Sequence, residues 1–249
     1  MKRILKWGAI AFSILLLFLL VAGIWINKPL PKGVQGPEAD KLAQAMLQAI
    51  DFPAWDTTGY IAWTFMGVHE YKWDRIRNWA EVSWKEYRVL INLDEVTGLA
   101  FEGGSQLTGS AADALVQKAW AYFCNDSFWL NAPAKVFDPG TSRALVPQDD
   151  GSNGLLITYE SGGVTPGDSY LWFLDDNNRP TAWKMWVSII PIGGIEFSWE
   201  SWERLSTGAY IANLHKSALI DLDISNLIAA SDVTAIFPAK DPFKMLENK

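Results

Sequence analysis

Hydrophobic and polar positions alternate with a period of two along most of this chain, and follow a helical period in two places. Residues 37–50 open with Pro37 and Glu38, which suit a first helical turn. Leu42, Ala45, Met46, Ala49 and Ile50 then recur at helical spacing and predict an amphipathic helix. A sheet should follow. Residues 60–66, 68–73, 79–85, 87–93 and 99–102 alternate or are rich in β-formers, and the first two read as one long strand bulged at Gly67. Turn clusters at 74–78, 94–98 and 103–104 separate the others. Connections this short predict an antiparallel meander, because a parallel crossover needs a dozen residues or more.

A second helix is predicted over 111–124, capped by Ser110 and lacking glycine or proline. Leu115, Val116, Ala119, Trp120 and Phe123 form its apolar face. Strands resume at 142–146, 154–160, 168–174, 181–190, 194–202 and 209–214, with 218–224 a further candidate. The fold class is therefore α+β, with two helices on about ten antiparallel strands.

The first residues are of another kind. Lys2, Arg3 and Lys6 precede twenty uncharged residues, 7–26, with six consecutive large apolar side chains from Leu15 to Leu20. As a helix this stretch is about 30 Å long, the thickness of a bilayer's hydrocarbon core. Residues 1–27 read as a retained membrane anchor, with Trp25 at the interface; a cleaved secretory signal ending near Val21-Ala22-Gly23 is the alternative. In both cases the basic end stays in the cytoplasm and the remainder is exported, to the periplasm or beyond. Residues 28–36, with two prolines and two glycines, read as an extended linker, and 37–249 as one exported β-rich domain.

Element order, the export segment and aromatic-rich strands over residues 38–222 resemble the LolA/LolB-like group of exported lipoprotein carriers. That resemblance implies a strongly curved antiparallel half-barrel, helices packed on its concave side and an apolar cavity for acyl chains. No position matches a binding motif of those carriers, so the resemblance assigns no residue. The stretches GVHEYKWD (67–74), CNDSFWLNAPAKVFDPG (124–140) and SGGVTPGDSYLWFL (161–174) also resemble an uncharacterised exported bacterial family.

Composition narrows the chemistry. A net charge of −7, or −10 once the three N-terminal basic residues are set aside, argues against nucleic acid. One cysteine and two histidines leave little for a metal centre, and no cofactor is called for. Fourteen tryptophans are the unusual feature. Two lie in the membrane segment, and several of the rest sit on strands apolar on both faces. In Tyr170-Leu171-Trp172-Phe173-Leu174 successive large side chains point to opposite sides. Trp183 and Trp186, and likewise Trp199 and Trp202, differ by an odd number and should also face opposite ways. Two helices cannot cover such a sheet twice, so either the sheet curls on itself or one face lines a ligand cavity. The candidate lining residues are Trp63, Phe65, Tyr71, Trp73, Tyr170, Trp172, Trp183, Trp186, Ile190 and Ile192. The last two belong to a turn, 189–195, with four isoleucines around its glycines, suited to folding over a barrel end, touching a bilayer or gating a cavity.

Other candidates carry less. His69 alternates with Tyr71 and Trp73 on one strand face, and Glu70 with Lys72 and Asp74 on the other. Asp126, just past the predicted end of the second helix, reads as a turn residue accepting backbone hydrogen bonds, or as an acid or base in a pocket. Cys124 reads as a buried thiol, and His215 is uninformative. Residues 161–168 are glycine-rich but lack the lysine and helix of a phosphate loop. Asp175-Asp176-Asn177-Asn178 reads as a solvated hairpin turn, since it lacks the glycine and distal glutamate of a calcium loop. The expectation is a membrane-tethered exported domain binding lipid or acyl chains. An exported hydrolase using Asp126, Glu70 or His69, or an envelope assembly protein, are the alternatives.

Overall fold

The computed structural model describes residues 27–247, together with Trp7 and Phe12. The membrane segment predicted over 7–26 otherwise lies outside the described residues, among which no helix is long and apolar enough to cross a membrane.

The meander is β2 (Tyr60–Phe65), β3 (His69–Asp74), β4 (Trp79–Trp84), β5 (Tyr87–Asn92), β6 (Thr97–Glu102) and β7 (Ser105–Gln106). β15 (Asp221–Ala230) pairs antiparallel with β2, and β14 (Tyr210–Lys216) and β13 (Glu200–Arg204) extend the sheet beyond it. This gives nine strands in the order β13-β14-β15-β2-β3-β4-β5-β6-β7. A six-stranded sheet holds β1 (Val34–Gln35), β8 (Thr141–Pro147), β9 (Asn153–Tyr159), β10 (Ser169–Leu174), β11 (Pro180–Trp186) and β12 (Ile195–Ser198), in the order β1-β8-β9-β10-β11-β12. Among the described residues all pairings are antiparallel and neither sheet closes. The structure is thus an α+β fold of two large antiparallel sheets, in place of the single half-barrel sheet of about ten strands expected from the sequence.

Four sequence expectations need correction. The long bulged strand over 60–73 is a hairpin: Met66 (φ 50°) and Gly67 (φ 64°) take the two left-handed positions whose twist suits a tight turn. The strand predicted over 181–190 stops at Trp186. The strand predicted over 194–202 is divided between the sheets, with Trp199 N donating to Thr181 O at 2.7 Å and Ser201 at φ 54° just beyond. That left-handed residue resets the alternation, so the Trp199 and Trp202 rings do not face opposite ways but lie 6.2 Å apart.

The fourth correction concerns the second helix. α3 (Gly109–Asn131) runs seven residues past the predicted end, so Asn125-Asp126-Ser127 is helix and not turn. These residues are weak helix formers but not breakers, and packing overrides propensity until Pro133. α1 (Pro37–Ala49) starts as expected, but its buried stripe is Ala39, Ala43, Met46 and Leu47, turned by about a residue from the predicted one. The small Ala39 and Ala43 let it sit close to β8 and β9. A short α2 (Phe52–Asp56) with buried Trp55 follows.

One large cluster joins the inner faces of both sheets to α1 and α3. The outer faces carry two smaller clusters. Ile236, Phe237 and Phe243 of the C-terminal segment cover Ala62, Leu90, Leu99 and Phe101. Arg77 holds that segment in place, donating to Asp74 (Nε–Oδ2 2.6 Å) and to Asp241 (Nη2–Oδ2 2.8 Å). On the six-stranded sheet, Ala144, Val146, Leu156 and Leu171 pack with Phe173 and Trp186. The two-faced strand is therefore real: Tyr170 and Trp172 point inward, Leu171 and Phe173 outward.

Candidate functional site

The inner face is an aromatic wall against which α3 lies. On the nine-stranded side, Trp63 stacks on Tyr71 (4.6 Å) and meets Phe123 of α3 at 6.0 Å, while Trp84 meets Tyr122 of α3 at 5.4 Å. On the six-stranded side, Trp183 meets Phe128 and Trp129 of α3 at 5.7 and 4.9 Å. Trp172 and Trp199 back Trp183 at 4.7 and 5.0 Å. The indole N–H groups of Trp63, Trp84, Trp172, Trp183 and Trp199 are all buried and make no hydrogen bond among the described residues. A buried donor without an acceptor costs about 1–3 kcal/mol, so five on one wall call for an explanation.

Where α3 crosses β3, one carboxylate gathers three donors. Asp126 Oδ2 accepts from Tyr71 Oη at 2.5 Å and lies 2.7 Å from His69 Nδ1, and Asn125 Nδ2 donates to Oδ1 at 2.8 Å. Asp126 is 2% exposed. The His69 ring stacks on Tyr122 with centroids 4.1 Å apart. The His69 ring faces the carboxylate through Nδ1, and which ring nitrogen carries the proton depends on the tautomer. The cluster ties α3 to the sheet, and a histidine beside a buried carboxylate is a pairing that can in principle orient a base.

The surroundings set the state of the neighbouring groups. Burial, then the charge and hydrogen bond of Asp126, raise the Tyr71 hydroxyl far above its ordinary range, so it stays a donor. Burial pushes the Cys124 thiol up to about 11, away from what a thiolate nucleophile requires. Cys124 is thus a poor nucleophile even though it lies two residues from Asp126.

His215, uninformative in the sequence, is fully buried between Trp129 and Trp199, at 5.3 and 4.3 Å. Its Nδ1 lies 3.3 Å from Ser198 O, and its Nε2 has no hydrogen-bond partner among the described residues. Burial pushes its pKa down to about 4, against the pull of the Ser198 and Trp129 backbones. Well above pH 6.5 the ring is neutral in both folded and unfolded chains and adds no pH dependence. As pH falls from 6.5 to 4, the unfolded chain takes up a proton that the folded one refuses. Unfolding should therefore become easier by about 3 kcal/mol over that window. Urea titrations at several pH values should show this extra acid sensitivity in the wild type and not in His215→Gln; parallel pH profiles would exclude it.

No protein-family model and no curated protein matches this chain. Among solved structures, the chain is similar to the crystal structure of a DUF1329 family protein from Desulfovibrio piger ATCC 29098. Identity is 11%, the match covers 80% of this chain and 96% of that one, and the TM-score is 0.41.

The structure brings most of the predicted lining residues onto the inner wall. Trp63, Phe65, Tyr71, Tyr170, Trp172 and Trp183 are buried in the large cluster, with Trp73 half-buried against it. Ile190 also packs against it from the 187–194 loop, and Ile192 is half-buried in that loop. Trp186 does not join them; it sits on the outer face and donates to Lys28 O at 2.8 Å. Beside the C-terminal end of α3, a cavity of about 10 Å³ is lined by Ile50, Trp55, Leu130, Trp202, Tyr210 and Ile211. It has room for about one water molecule, against the ~300–1,000 Å³ of an ordinary ligand pocket. Tyr122 and Asn125 were not anticipated at the site. The signal that could have placed Asp126 is its spacing from Ala119, Phe123 and Leu130, which puts it on the buried face of an extended helix.

Proposed function

We propose that this chain is a membrane-tethered exported domain that binds a hydrophobic ligand, an acyl chain, along the aromatic wall beneath α3. The observation that carries this reading is the set of five buried indole N–H groups that meet no acceptor among the described residues. An apolar wall with unmet donors suits an amphipathic guest whose chain lies on the rings and whose ester or carboxyl oxygens accept from the indoles. Without a guest, α3 fills the space, so entry requires α3 to lift from the wall. Each buried methylene would contribute roughly 0.8 kcal/mol. The apolar segment 7–26 supplies the tether, which raises the local concentration of lipid around the domain.

A photoreactive fatty acid added to the full-length protein tests this. Cross-links are expected in β2, β11 and α3. Labelling confined to residues 7–26, or none, would overturn the groove.

A second reading rests on the His69–Asp126 pair, which suits general-base activation of water at an ester. It expects turnover of p-nitrophenyl acyl esters that falls about 100-fold or more in His69→Gln. Wild-type turnover no faster than buffer would reject it.

A further inference from the structure

Residues 27 and 28, which directly follow the apolar segment, are built into one particular loop. Lys28 N donates to Gly193 O at 3.0 Å, and Gly193 N donates to Asn27 Oδ1 at 2.8 Å. Trp186 Nε1 closes the contact on Lys28 O at 2.8 Å. The approach is close: a Cβ on Gly193 would lie 2.8 Å from Lys28 O and 2.3 Å from Trp186 Cδ1. Asn27 and Lys28 thus sit at the base of the isoleucine-rich loop between β11 and β12.

That loop has a neighbour. Asp168, buried at the end of the β9–β10 connection, accepts from Ser188 N at 2.9 Å and from Thr165 Oγ1 at 2.6 Å, tying the two loops together. Neither residues 161–167 nor residues 187–195 include a charged side chain, in a chain that is 20% charged. Ile189 is 70% exposed at the tip of one and Val164 is 44% exposed in the other. Exposed aliphatic side chains on uncharged loops suit a hydrocarbon interface better than water.

We infer that the loops 161–167 and 187–194 form a bilayer-contact surface, with Ile189 entering the acyl-chain region of the membrane that holds segment 7–26. The inference rests on the tether reading and adds an orientation to it. The domain would stand with this end of the six-stranded sheet on the lipid. Ile76, in the turn between β3 and β4 of the other sheet, is also 70% exposed and is a matched control.

The test uses the full-length protein with Cys124→Ser, carrying Ile189→Cys or Ile76→Cys labelled with an environment-sensitive fluorophore. The protein is reconstituted in phosphatidylcholine vesicles, with iodide on both sides as aqueous quencher and acyl-chain nitroxide lipid as the membrane quencher. At position 189 the nitroxide lipid is expected to lower emission at least twofold, and iodide to have little effect. At position 76 the order should reverse. If position 189 behaves as 76 does while the protein floats with the vesicles, the loop contact is overturned and the tether stands. If the protein does not float, the tether fails and the loop contact fails with it.

Discussion

Asp126→Ala is expected to destabilise the protein by about 3 kcal/mol, measured as the loss of unfolding free energy in urea at neutral pH. The substitution deletes few atoms, but it strands the buried Tyr71 hydroxyl and takes away the partner of His69 Nδ1 and of the exposed Asn125 amide. Tyr71 is 1% exposed, so its hydroxyl cannot turn to water instead. Tyr71→Phe removes one donor and leaves the carboxylate with its others, and should cost about half as much. Asn125→Ala, on the exposed side of the helix, should cost least. An Asp126→Ala protein within about 0.5 kcal/mol of wild type would mean that the cluster does not hold α3 to the sheet. The same variant bears on the proposed function. If lifting α3 is the step that admits an acyl chain, losing about 3 kcal/mol of latch should raise the population of the lifted state roughly 100-fold. Photolabelling of the inner wall by the fatty acid should then rise rather than fall, even as the fold weakens.

The second large effect is expected at Trp183. Its ring lies within 4.5–5.7 Å of Tyr170, Trp172, Trp129, Trp199 and Phe128, so it joins six-stranded sheet, helix and sheet junction. Trp183→Ala should cost about 3–5 kcal/mol, because the surrounding rings are too rigid to collapse into the space left behind. Trp183→Phe should cost much less than its loss of volume suggests. It removes an indole N–H that has no acceptor among the described residues, which offsets part of the packing lost. Thermal and urea unfolding of the pair measure the comparison directly. Equal costs for alanine and phenylalanine would indicate that the indole N–H is satisfied in solution by a group it does not meet here. The two variants also separate binding from stability: a guest that accepts from the Trp183 indole should bind Trp183→Phe more weakly, although the protein remains folded.

Much of this architecture is legible along the chain, because strand alternation and turn chemistry are local. The short connections at 74–78, 94–98 and 103–104 do specify an antiparallel meander, and Asp175 does cap its hairpin turn, accepting from the backbone of Asn177 and Arg179. The two-faced pattern of Tyr170–Leu174 likewise survives in the structure as inward and outward clusters. Local pattern failed where packing competes with propensity. Asn125-Asp126-Ser127 looks like a helix end until the sheet supplies Tyr71 and His69 as partners. Trp199 and Trp202 look opposed until one left-handed residue between them resets the register.

The sequence by itself therefore determined the antiparallel α+β class, the positions of most strands and helix starts, and the aromatic character of both sheet faces, since each depends on residues within a few positions of one another. Only the tertiary structure decided which tryptophans form the inner wall, that Trp186 lies outside it, and that residues 27–28 anchor to a loop more than 150 positions away. It alone joined His69 to Asp126 across 57 residues. The reason is physical: a side chain's periodicity says which way it points, but whether its donor finds an acceptor depends on what the rest of the chain brings to face it.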